Sequence, residues 1–142
     1  MFAKKRTMNK INKKELTTYW LKIAQHDYKT MLVLFNSKRY SDCLFFGYIV
    51  LEKILKALVV QKTGKSARYT HNLLLLMQDA DTELPQTDKD LLDTVNDFNI
   101  RARYPDEKLA FYKKCTQEFT VLYLEKIKIL YKKLCQKVKI NN

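Results

Sequence analysis

Residues 40–61 read YSDCLFFGYIVLEKILKALVVQ, and the fold turns on how this run is covered. Cys43, Leu44, Phe45, Phe46, Tyr48, Ile49, Val50, Leu51, Ile54, Leu55, Leu58 and Val59 go nearly all the way round a helix, more than one neighbour can bury. Such a helix is central to a bundle, or it carries a second face into a subunit interface. Gly47 permits a close helix crossing within it. Glu52 and Lys56 read as an i,i+4 ion pair on what remains of the polar face, worth about a few tenths of a kcal/mol.

Towards the N-terminus, Asn36 to Arg39 form a short turn, and the spacing before it predicts a helix over 14–35. Leu16, Tyr19, Trp20, Ile23, Ala24, Met31 and Phe35 mark its apolar face. Asp27 falls on that same stripe. A carboxylate there needs a partner: either a lysine or arginine from another helix, or a site that it faces. His26 lies off the stripe, towards solvent. Residues 1–12 are polar and basic without periodicity and read as a flexible arm, leaving 13–140 as a single helical domain.

Towards the C-terminus, Thr63-Gly64-Lys65-Ser66 ends the central helix; it lacks the first glycine and the preceding strand of a phosphate-binding P-loop. His71-Asn72-Leu73 opens a short helix to about Ala80, with His71 read as a packing or capping residue or as one that reaches a site. Asp79, Asp81 and Glu83 lack the glycine and final glutamate of a calcium loop. Thr87 is the expected N-cap of a helix to Asn99, and one long helix is expected over 107–139, with Phe111, Cys115, Phe119, Leu122/Tyr123, Ile127, Leu130 and Leu134 inward. The outcome is an all-α, up-and-down bundle of four to five helices.

Composition agrees. With 46% hydrophobic and 12% aromatic residues the 142-residue chain can build one core, and two glycines and two prolines leave little punctuation for a β or α/β fold. A net charge of +12 makes an anionic partner plausible, although twelve of the 27 lysines and arginines sit near the termini, where solvated faces are the commoner explanation. Cys43, Cys115 and Cys135 are too widely spaced for a zinc site or a disulfide framework, and no cofactor is implied. Without a signal core or an apolar run of membrane length, a soluble cytoplasmic protein is expected.

Chemistry concentrates in Asn99-Ile100-Arg101-Ala102-Arg103-Tyr104-Pro105-Asp106. Pro105 pushes Tyr104 into an extended conformation and begins a new helix, where Asp106 serves as N-cap or first-turn acid. Exposed N–H groups at that helix start, with Arg101 and Arg103 beside them, would make a cationic cradle for phosphate or carboxylate. The alternative is a plain helix–helix turn whose arginines pair with acidic neighbours.

These residues resemble the HEPN domain family. Trp20, Ala24, Asp27 and Tyr28 look like its first helix, and Tyr40, Cys43, Phe46 and Glu52-Lys53-Ile54-Leu55-Lys56-Ala57 like its second. His71-Asn72-Leu73 resembles its third, and Arg103-Tyr104-Pro105-Asp106 the turn before its last, in a subgroup often encoded beside minimal nucleotidyltransferases. The resemblance implies a helical bundle, commonly a homodimer, with two functions in prospect. Many members are metal-independent ribonucleases, some of them toxins neutralised by the nucleotidyltransferase, that use an arginine followed after four to six residues by a histidine. Others bind nucleotides or substrates without demonstrated cleavage.

Here the window after Arg101 holds Asp106, Glu107 and Lys108, and that after Arg103 holds Lys108, Leu109 and Ala110. Both histidines precede the turn, and arginine cannot shuttle a proton. His71 substitutes only if the fold brings it to the turn, and Asp27 acts as a base only if burial raises its pKa. The leading expectation is therefore a nucleotide- or RNA-phosphate-binding protein that uses Arg101, Arg103, Tyr104 and Asp106, supported by Asp27 or His71. It would work with a nucleotidyltransferase, in a toxin–antitoxin or related pair. A metal-independent ribonuclease and a non-enzymatic dimerisation module are the alternatives.

Overall fold

The computed structural model describes residues 12–139, all of them in helices or their connections. Asn12, assigned above to the arm, instead opens the first helix: its side chain accepts hydrogen bonds from the Lys14 and Glu15 amides at 2.8 and 3.2 Å. The rest of that arm lies outside the described residues. Helix α1 spans Lys13–Asn36, α2 Tyr40–Thr63, α3 Leu73–Asp79, α4 Gln86–Arg103, α5 Pro105–Lys114 and α6 Gln117–Lys137. The expected all-α bundle is present, with six helices among the described residues.

Helix α2 is the centre. Thirteen of its 24 residues are buried, because α1, α6, α3, α4 and α5 all pack against it. Most of its apolar surface is thus buried within one chain, with Leu51, Ile54 and Leu55 inaccessible to solvent and Phe45, Phe46 and Ile49 only partly covered. At Gly47 the crossing with α6 is so close that an added Cβ would stand 2.7 Å from Ile127 Cδ1. Gly64, at φ 72°, ends α2 in a left-handed conformation that its missing Cβ makes inexpensive.

Three local expectations are corrected. The single helix over 107–139 is two, because Cys115 leaves helical geometry at ψ 68° and the Thr116 side chain caps α6 by accepting from the Phe119 amide. Thr87 is not an N-cap: Pro85 holds that position, and Thr87 lies inside α4. The arginines are not in a turn, since α4 continues through Arg103 before Tyr104 breaks it. Tyr104 itself is extended, at φ −83° and ψ 129°, and Pro105 opens α5 as expected.

Candidate functional site

A cleft of about 410 Å³ opens between the α2–α3 connection and the end of α4. Thr70, His71 and Asn72 form one wall. Asn96, Asn99, Ile100 and Arg103, spaced to share one face of α4, form the other, and Tyr104 stands at the lip. Two fixings bring the walls together. Asn96 accepts a hydrogen bond from the Leu73 amide at 2.9 Å and donates to the Asn72 side chain at 3.0 Å. Arg68 clasps Asp79 with two bonds of 2.7 Å, which closes the connection carrying His71 and holds the Asp79 carboxyl below its ordinary range.

Behind His71 lies a polar network of which the sequence showed only the Glu52–Lys56 pair, present here at 3.8 Å. Glu52, read as a surface residue, is only 4% exposed. Its carboxylate meets His71 Nδ1 at 3.3 Å, Lys53 Nζ at 3.1 Å and Lys56 Nζ at 3.8 Å. Both lysines also lie over the Trp20 ring of α1, at 5.6 and 5.0 Å from its centroid. Burial lowers the Lys56 pKa, an effect that Glu52 opposes. Tyr48 donates its hydroxyl to the His71 carbonyl at 2.7 Å, with Glu52 at 3.3 Å. Burial first, and Glu52 second, push the Tyr48 phenol above its ordinary pKa, while Arg103 pulls it down.

This arrangement fixes what His71 can do. A carboxylate only accepts, so His71 directs its Nδ1 proton at Glu52 and leaves Nε2 for other partners, the Tyr69 hydroxyl standing 3.5 Å away. An imidazole backed in this way by a buried carboxylate can accept, hold and return a proton. One signal for Glu52 was available in the sequence: a carboxylate on a helix that is apolar nearly all round has to find partners inside the fold.

The other expected residues separate. Arg103 faces the cleft, held only by the neutral Asn99 side chain at 3.5 Å, and among the described residues it makes no ion pair. Arg101 instead pairs with Asp97, one turn back, at 2.7 Å. Asp106 is an exposed first-turn acid of α5, and neither it nor Arg101 lines the cleft. Asp27 is half-buried on α1; the expected lysine or arginine partner is replaced by His26, at 3.4 Å, and Asp27 does not reach the cleft either. The two-arginine cradle is therefore one arginine, one tyrosine and one histidine.

A family model described as HEPN domain matches residues 17–137. No curated protein and no solved structure matches the sequence.

Proposed function

This chain belongs to the HEPN domain family, and from that premise we propose that it binds the phosphate of a nucleotide or RNA in the Arg103 cleft. Family membership points in general to a nucleotide- or RNA-related function. One observation carries the finer reading. Among the described residues Arg103 has only an amide as its partner in the cleft, whereas Arg101, two residues earlier, is already matched to Asp97. A guanidinium presented in this way favours an oxyanion, and Tyr104, 58% exposed at the lip, offers a ring on which a base can stack.

Titration with adenosine monophosphate tests this. Arg103→Ala should weaken binding on the order of tenfold to a hundredfold with the melting temperature nearly unchanged. Arg101→Ala should leave binding close to the parent. Equal losses at both positions, or none at either, would count against the cleft.

A second reading is a metal-independent ribonuclease, favoured specifically by the Glu52–His71 pair beside Arg103. In that chemistry the RNA 2′-oxygen attacks phosphorus, the bond to the 5′-oxygen breaks, and His71 relays the proton from one oxygen to the other. RNA cleavage in EDTA that disappears in His71→Asn would support it. The proposed partners are a second copy, since HEPN domains often dimerise, and a minimal nucleotidyltransferase in a toxin–antitoxin pair. A nucleotidyltransferase gene beside this one would support the latter, and light scattering tests the former.

A further inference from the structure

Tyr104, the last residue to line the cleft, is also the N-cap of α5, and Phe111 is the only buried side chain of that helix. Residues four apart stay along one edge of a helix, so Tyr104, Lys108 and Tyr112 form a row that leads away from Arg103. Lys108 is exposed and Tyr112 is 67% exposed, so neither is spent on the core. Asp106 falls on the opposite edge and Glu107 about a quarter turn round, where both suit the start of a helix without lining the row.

Two solvent-facing phenol rings with an ammonium between them match the alternation of bases and phosphates in a single strand. At 1.5 Å per residue the backbone positions of the two tyrosines are about 12 Å apart along the helix, room for about three stacked bases. We propose that a single-stranded oligonucleotide anchored at Arg103 continues along this edge of α5, stacking bases on Tyr104 and Tyr112 and setting a phosphate against Lys108. The proposal rests on the cleft holding a nucleotide phosphate, and it adds a second segment that a mononucleotide cannot reach. Charge decides the occupant: the row is cationic and continuous with an arginine cleft, in a protein of net charge +12.

The experiment compares adenosine monophosphate with a fluorescently labelled hexauridylate on the full chain. Replacing Lys108 and Tyr112 together by alanine should weaken hexauridylate binding on the order of tenfold or more and leave the mononucleotide unchanged. Tyr112→Phe alone should bind hexauridylate close to the parent, since stacking needs only the ring. Arg103→Ala should weaken both ligands. If the double variant binds hexauridylate like the parent while Arg103→Ala still weakens both ligands, the α5 track is refuted and the cleft stands. If Arg103→Ala affects neither ligand, the cleft reading fails and takes the track with it. If the double variant instead dissociates a dimer in light scattering without changing hexauridylate binding, the row belongs to a second copy and the proposal is overturned.

Discussion

Glu52 gathers more of this protein's polar chemistry than any other described side chain, although it holds no ligand of its own. Its carboxylate faces the partly buried ammonium groups of Lys53 and Lys56 and the imidazole of His71, so Glu52→Gln should cost about 1–3 kcal/mol of stability by leaving those donors poorly matched. Chemical denaturation measures that loss, and imidazole nitrogen shifts should show His71 losing its fixed Nδ1 proton. The buried thiols give an alkaline signature. Burial pushes Cys43 and Cys115 from 9.0 up to about 12, and the Cys115 charge adds to the rise at Cys43. A folded-state pKa raised in this way means that the unfolded chain loses its proton first. Stability is therefore full below about pH 9 and declines as pH rises towards 12, by about 1.4 kcal/mol per pH unit for each thiol. Denaturation midpoints across that window should fall less steeply in Cys43→Ala than in the parent. At this scale the sequence was half legible. Arg103, Tyr104 and His71 stand out as residue types, but which of two arginines meets an ion pair depends on helical phase at Asp97, and the burial of Glu52 depends on helices far away in sequence.

Helix α2 is where pattern and structure agree most closely, because a helix that is apolar on nearly every side has few places to go. Gly47 marks its closest approach. Alanine there gains about 1 kcal/mol in helix propensity, but its Cβ would displace Ile127 Cδ1 from a fully buried position. Gly47→Ala should therefore be neutral or destabilising alone and clearly better tolerated in Ile127→Val, which lacks the offending methyl. Thermal melts of the two single variants and the double variant measure that coupling, and strictly additive effects would contradict the crossing as described. The junctions were harder to read. Pro105 announces the α4–α5 break, and Tyr104 is extended as the proline requires. The α5–α6 break has no such marker. Cys115 and Thr116 fit a helical stripe equally well, and only the Thr116 cap reveals the stop.

Over the whole molecule, the order and spacing of weak local signals identified the family, while net charge alone pointed to an anionic partner without locating a site. Several of the C-terminal lysines that inflate the net charge are engaged locally: Lys133 pairs with Asp88 at 2.6 Å, Lys128 with Glu125 at 3.3 Å, and Lys126 lies over Tyr123. The cationic group that matters for the proposed function is a single guanidinium at the meeting of two connections that lie far apart in sequence. Among the described residues no helix is long and apolar enough to cross a membrane. What the sequence could not supply was the convergence of the His71 connection on the end of α4, a long-range contact made by Asn96 and by no local rule. The most direct test is an amide chemical-shift titration with adenosine monophosphate. The shifts should cluster at residues 70–72 and at Asn96, Asn99, Ile100, Arg103 and Tyr104, and vanish in Arg103→Ala. Shifts confined to Arg101, Asp97 and the C-terminal lysines, unaffected by that substitution, would contradict the account.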